Sequence, residues 1–166
     1  MLIDISYFTE GPRHIQNASL SNMPSMESQS VNKNIQGYID FYMDPYLNNM
    51  LGYELANQVE QRLFAIDDGA VDVVPIDALI GKMKESYADF VFFQMLKNIN
   101  TQPTITGVVR LKSANEYADP KELLVSTWNR MVESNERFIE WVLTEECPYK
   151  VKIKKSMLTP INVLNI

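Results

Sequence analysis

The sequence contains one cysteine, Cys147, and one histidine, His14, among its 166 residues. A single cysteine excludes an internal disulfide framework and zinc sites built on paired cysteines, and a single histidine excludes multi-histidine metal centres. Glycine-rich phosphate-binding loops are also lacking. No apolar run approaches the roughly 18 residues that a membrane span needs. Several common classes of enzyme and membrane protein are thereby removed, and we expect no membrane association.

Charge is distributed unevenly along the chain. The segment 148–166 has four lysines and no acidic residue, so a net charge of −6 for the whole chain leaves −10 on the remainder. An acidic body disfavours nucleic-acid binding through its outer surface, because phosphate contacts need clustered Lys and Arg. The N-terminus lacks the basic-then-apolar layout of a signal peptide, so we expect synthesis in the cytoplasm without export.

The composition, 46% hydrophobic and 22% charged, fits one globular core. We predict an all-α fold: a four-helix bundle with an extended loop or hairpin between the third and fourth helices and an extended C-terminal tail. Apolar spacing and Asp-Pro or Pro starts place the helices near 30–43, 45–65, 75–99 and 120–146. The start at 45 rests on Asp44-Pro45, where Asp can cap and Pro fits the first turn.

Three regions follow from this pattern. Residues 1–27 are predicted to be an N-terminal extended arm, residues 28–147 the bundle, and residues 148–166 the tail. The predicted core residues are Leu51, Leu55, Val59, Ile80, Met83, Tyr87, Phe90, Val91, Trp128, Met131, Phe138 and Val142.

No cluster of residues predicts a catalytic centre or a metal site, and we expect neither enzymatic activity nor a cofactor. Glu145-Glu146 beside Cys147, and Asp67-Asp68 with Asp72, lack the spacing of a cation-binding loop and are interpreted as solvated charge. Two alternatives stay open. One is a helical interaction module, and the other is a small helical enzyme that uses Glu54 with Glu85 or Asp89.

Apolar residues outside the predicted stripes indicate contacts with other chains. Phe92 and Phe93 lie off the main stripe of the third helix, which makes them candidates for a lateral subunit interface. In the tail, lysines alternate with Val151 and Ile153, as in a strand added to a partner's surface. The candidate residues of this binding tail are Lys150, Val151, Lys152, Ile153, Lys154, Lys155, Leu158, Ile161, Val163, Leu164 and Ile166.

The order of these pieces resembles one protein family. A helix leading into DPYLNNMLGYELANQV, a helix carrying YADFVFFQMLKNI, the interrupting TITGVVRL and a long closing helix are similar to the head-to-tail connector, or neck adaptor, proteins of tailed bacteriophages. The resemblance covers about residues 30–146, and the sequence of this region is most similar to the Bacteroidetes-phage branch of the family. Its most distinctive elements are Leu51-Gly52 followed by Tyr53 and Glu54, and the Thr106-Gly107-Val108 step.

The resemblance implies a structural protein of the virion neck, located at the portal vertex. It would form a ring, usually a dodecamer, that binds the portal protein on one side and the next neck or tail ring protein on the other. DNA would pass its channel without sequence-specific binding. The family's extended loop would project from the bundle, and the tail would reach the portal or a neighbouring subunit. The residues matching this loop are Thr104, Ile105, Thr106, Gly107, Val108, Val109 and Arg110.

Overall fold

Four α-helices form most of the fold, as the sequence predicts. A computed structural model describes residues 1–99, 101–104, 107–110, 120–144 and 147–162. The helices are α1 at Met26–Leu51, α2 at Tyr53–Asp67, α3 at Pro75–Ile99 and α4 at Pro120–Val142, and the strands are β1 at Thr101–Thr104 and β2 at Gly107–Arg110. The chain is therefore an all-α four-helix bundle with a two-stranded hairpin between α3 and α4.

The first boundary between helices lies at Gly52, and the predicted start at Pro45 is wrong. Helix α1 continues through Pro45 to Leu51. A proline inside a helix frees the carbonyl four residues earlier, here that of Phe41. Both Pro45 and Phe41 are exposed, so water can reach this carbonyl. Burial of Tyr46, Leu47, Met50 and Leu51 then holds the last turns of α1 on the core.

Helix α3 is the central helix of the bundle. It starts at Pro75, as predicted, and Asp77 in its first turn accepts a hydrogen bond from the backbone N–H of Val74 at 3.0 Å. An acidic residue at this third position pairs with the N-terminal orphan donors and favours the helix start. Helices α1, α2 and α4 all contact α3. The buried residues of α3 are thus covered by the other three helices of the same chain.

The two strands form an antiparallel pair. Thr101 is opposite Arg110 and Thr104 is opposite Gly107. The prediction left a choice between an extended loop and a hairpin, and the structure has the hairpin. Ile105 and Thr106 lie outside the described residues.

The N-terminal segment is part of the bundle. Two 3-10 helices occupy Ile5–Phe8 and Gly11–Arg13. Leu2, Ile3 and Phe8 are buried in the main core, so the predicted extended arm is wrong for this part of residues 1–27. Short alternating apolar residues can fill a gap between helices as well as form a strand, and here they do the former.

The predicted core is confirmed in ten of its twelve positions, which are buried, while Trp128 and Val142 are half-buried against the same cluster. Helix α4 packs mainly on α3 and ends at Val142, earlier than predicted. Glu145 and Glu146, at the predicted end, lie outside the described residues. Within the described part of the chain, no helix has the length and apolar character needed to cross a bilayer.

Candidate functional site

The C-terminal tail lies along its own bundle, held by polar side chains of α4. Trp128 donates its indole N–H to the carbonyl of Thr159 at 2.9 Å. Asn129 both donates to the carbonyl of Ile161 at 3.1 Å and accepts from its backbone N–H at 2.8 Å. Because these contacts reach main-chain atoms, they fix the path of the tail whatever its side chains are.

A buried amide continues this row of contacts. Asn135, which is fully buried, donates to the carbonyl of Met157 at 2.7 Å and accepts a hydrogen bond from the hydroxyl of Ser86 on α3. Met157 is itself 1% exposed and belongs to the core. Buried polar groups need partners, and the tail backbone provides one here. Asn135 lies within the apolar stripe of α4, and a polar residue at such a position indicates that a hydrogen-bond partner is buried beside it. The sequence does not show that this partner is the tail backbone.

The other end of the tail closes α1. The backbone N–H of Lys154 donates to the carbonyl of Asn49 at 2.8 Å, one of the last carbonyls of α1 that lack an intrahelical partner. Lys152 passes so close to Gly52 that a Cβ built on this glycine would lie 3.5 Å from the Cβ of Lys152. The tail therefore packs against the α1–α2 junction.

Lysines and apolar residues alternate between the two faces of the tail, as predicted, but the apolar face packs on a different surface from the one expected. Val151 and Ile153 are half-buried against the bundle of their own chain, whereas the prediction placed them on a partner. Leu158 and Ile161 are also half-buried, and Val163, Leu164 and Ile166 lie outside the described residues. The inner face of the tail is thus occupied from Val151 to Ile161.

The outer face of the tail has four unpaired cations. The side chains of Lys150, Lys152, Lys154 and Lys155 are exposed, and none forms an ion pair with any described residue. We call these four residues the lysine strip. A row of unpaired lysines on an acidic body is a surface suited to an acidic partner.

A groove lies between the lysine strip and the start of α2. Its volume is about 450 Å³, and its walls include Tyr53, Glu54, Tyr149, Lys150 and Lys152. Tyr53 is 73% exposed. An exposed aromatic ring beside unpaired lysines offers both apolar contact and positive charge to a partner.

The predicted lateral interface is not available. Phe92 is 5% exposed, and Phe93 packs on Trp128 with ring centroids 4.8 Å apart. Helix α3 packs most extensively on α4, so these two rings off its main stripe contact their own bundle. The exposed large apolar residues lie elsewhere, among them Phe41, Tyr53 and Phe64.

The carboxylates of the alternative enzyme hypothesis are engaged in ion pairs or lie apart. Asp89 is buried and accepts from Arg13 at 3.0 Å and from Arg130 at 2.6 Å. Arg13 also binds Glu85. Glu54 instead lines the groove beside the lysine strip. The geometry brings Glu85 and Asp89 together as partners of Arg13, and this arrangement links the N-terminal segment to α3 and α4.

The same cluster keeps Arg13 charged. Burial alone would lower the pKa of Arg13, but hydrogen bonds to Glu85 and the negative charge of Asp89 outweigh it, and the pKa is raised. Deeper in the core, burial raises the pKa of Tyr46 and of Tyr87, so both stay neutral hydroxyl donors. The Tyr87 hydroxyl donates to the carbonyl of Ile39, which links α3 to α1.

No group of three or more potential metal-ligating side chains occurs among the residues that the structure describes. A scan of protein-family models, a search of curated proteins and a search of solved structures each find no significant match to this chain. The case for a function therefore rests on the surfaces described above.

Proposed function

We propose that this chain is a structural protein of a tailed-phage neck, which binds the portal protein and joins it to the next neck or tail protein. In this proposal the subunits form a ring, by resemblance a dodecamer, around the channel through which DNA passes. The assembly belongs to the virion at the portal vertex. Neither a cofactor nor a chemical step is required.

The hairpin is the observation that carries this proposal. The chain resembles phage connectors in the order helix, helix, aromatic helix, extended segment and long helix, and the resemblance implies that the extended segment projects from the bundle. The structure has a two-stranded hairpin at this place, between α3 and α4. A pair of strands without a larger sheet leaves strand edges open, and such edges pair readily with another chain. The predicted loop residues outside Ile105 and Thr106 lie in these strands.

The lysine strip supplies a second contact surface. Its inner side is fixed to the bundle, so the strip presents its charges at a defined position. A positioned row of cations loses less freedom on binding than a free tail does. We assign this surface to an acidic protein face, on the portal or on another copy of the chain.

A copurification experiment tests the proposal. The chain is coexpressed with the portal protein of the same phage, and the complex is isolated through a tag on the portal. We expect the chain to copurify, and a variant in which residues 102–109 are replaced by a short Gly-Ser linker to be lost from the complex. The double variant Lys33→Glu/Lys84→Glu, on α1 and α3, serves as a surface control and should copurify normally. Absence of the unmodified chain from the complex contradicts the proposal.

A further inference from the structure

A second groove lies on the bundle between α1 and α2. Its volume is about 290 Å³, and three carboxylates line it, those of Asp40, Glu60 and Asp67. The ring of Phe64 belongs to the same lining and is 66% exposed. We call this feature the acidic groove. Its charge is opposite to that of the groove beside the lysine strip, which we call the lysine-strip groove.

Two of these three carboxylates have no cation among the described residues. Asp67 pairs with the N-terminal ammonium of Met1, whereas Asp40 accepts a hydrogen bond from the neutral amide of Gln36 at 2.8 Å. Glu60 is half-buried and has neither a hydrogen bond nor an ion pair with a described residue. Burial raises the pKa of Glu60. A cation supplied by a second molecule would stabilise the ionised forms of Asp40 and Glu60.

The lysine-strip groove is suited to carboxylates for two reasons. The unpaired Lys150 and Lys152 line it, and their two positive charges exceed the single negative charge of Glu54 in the same lining. Helix α2 also begins here, after Gly52, which has no side chain to cap the helix. The N–H groups of the first turn therefore lack intrahelical acceptors and carry the partial positive charge of the helix N-terminus.

The two grooves lie on opposite flanks of α2. Gln58 lines the lysine-strip groove, and Asp67 lines the acidic groove. At about 100° and 1.5 Å per residue, these two positions are about 180° apart around the helix axis and roughly 13 Å apart along it. The fully buried Val59 lies between them, on the side of α2 that faces the core. One copy therefore presents grooves of opposite charge in opposite directions.

We propose that copies of this chain associate head to tail, with the lysine-strip groove of each copy against the acidic groove of the next. Charge complementarity selects this partner, because unpaired lysines then meet carboxylates that have no cation of their own. The exposed rings of Tyr53 and Phe64 add apolar area to the contact.

A head-to-tail contact uses two different surfaces and therefore repeats from copy to copy until rotation closes a ring. The inference rests on the ring of the proposed function and names the contact between its neighbouring subunits. The hairpin residues belong to the lining of neither groove, so this contact and the hairpin can be tested separately.

Sedimentation velocity at low salt, over a series of protein concentrations, tests this contact with reversed charges. We expect the unmodified chain to form species larger than a dimer, because each added copy leaves one groove of each kind open. In the variants Lys150→Glu/Lys152→Glu and Asp40→Lys/Glu60→Lys, association should need a concentration about tenfold higher or more, since each contact then joins like charges. Added salt should weaken association of the unmodified chain, because screening acts on exposed charges.

Mixing the two reversed variants gives the sharpest result. One variant has two acidic grooves and the other has two basic grooves, so every contact between unlike variants again joins opposite charges. The mixture should therefore associate, with the two variants alternating, although each of them keeps a net negative charge overall.

Two control variants make the same charge changes outside both grooves. Lys82→Glu/Lys84→Glu reverses two lysines of α3, and Glu10→Lys/Glu27→Lys reverses two exposed acidic residues near the N-terminus. Both controls should associate like the unmodified chain. Circular dichroism of every variant shows whether the helical bundle is retained.

The outcomes separate this inference from portal binding. A monomeric unmodified chain at the highest soluble concentration, a series that ends at the dimer, equal loss in the controls, or no association in the mixture would each overturn the head-to-tail contact. Portal copurification is scored independently, through the hairpin. Association without portal binding would support the contact and contradict the proposed function, whereas portal binding by a chain that stays monomeric would overturn the contact alone.

Discussion

At the scale of single residues, Gly52 determines where α1 ends and α2 begins. Its backbone has φ 77° and ψ 160°, a combination that is open essentially to glycine alone. Its N–H still donates to Asn48, and its carbonyl accepts from Ala56, so one residue closes one helix and opens the next. The side chains before and after it, Leu51 and Leu55, can then both reach the core.

Gly52→Ala should lower the free energy of unfolding by about 1–3 kcal/mol. The surrounding helices hold residue 52 at these backbone angles, and alanine is strained there whereas glycine is not. The new Cβ would make only ordinary contact with Lys152, so packing is not the cause. Gly37→Ala is the matched control. Gly37 lies inside α1 with no atom within 4 Å of a built Cβ, and its substitution should gain about 0.5–1 kcal/mol. Urea unfolding of both variants measures the difference, and equal effects would contradict this account.

Asp77 should make stability depend on acid pH. Hydrogen bonds from Arg62, and then from the backbone N–H of Val74, lower the pKa of this carboxyl group from its ordinary 3.8. Since the pKa is lower in the folded state, the stabilisation is complete above the unfolded value and disappears as the pH falls through the folded value. Asp77→Ala should cost about 1 kcal/mol at pH 7. The cost should shrink below about pH 4, as urea unfolding at the two pH values would show. A cost independent of pH would contradict the assignment.

Residue patterns predicted the core well because burial follows apolar spacing. Val59, Met83 and Val91 were predicted from steps of three and four, and all are fully buried. Asp44-Pro45 misled the prediction, because an exposed proline can remain within a helix whose following turn is held by the core. Packing of the following turn on the core therefore outweighed the local preference of Asp44-Pro45 for a helix start. The residue that does separate the helices, Gly52, is an isolated glycine and a weaker signal in the sequence.

At the scale of elements, the tail behaves as an integral part of the bundle. Its backbone is bound by Trp128, Asn129 and Asn135, and Met157 fills a position in the core. The alternation of lysines and apolar residues is predictable from the sequence, but we expected a partner to cover the apolar face. Alternation shows that one face is covered, whereas what covers it depends on where α4 and the α1–α2 junction lie in space.

Met157→Ala should lower the free energy of unfolding by about 2–5 kcal/mol, because it leaves a cavity in the core. Ser156→Ala is the neighbouring control, since Ser156 is exposed, and its effect should stay within about 0.5 kcal/mol. Thermal or urea unfolding provides both values. If Met157→Ala were as mild as Ser156→Ala, the tail would not belong to the cooperative core.

At the scale of the whole molecule, the four helices share one apolar core, and the charge of the chain is unevenly distributed, with a basic tail on an acidic body. Helix α3 contacts the other three helices, and its off-stripe ring Phe92 is buried. The helical fold class could be predicted from composition and periodicity. The groove beside the lysine strip could not, because it joins residues that are distant in sequence, such as Tyr53 with Lys152.

Electron cryomicroscopy of the portal vertex in particles of the phage that encodes this chain tests the central claim most directly. The account predicts a ring of these four-helix bundles beneath the portal, in direct contact with it, with the hairpin of each subunit against a neighbouring protein. Intact particles whose neck lacks this chain, or in which the chain has no contact with the portal, would contradict it.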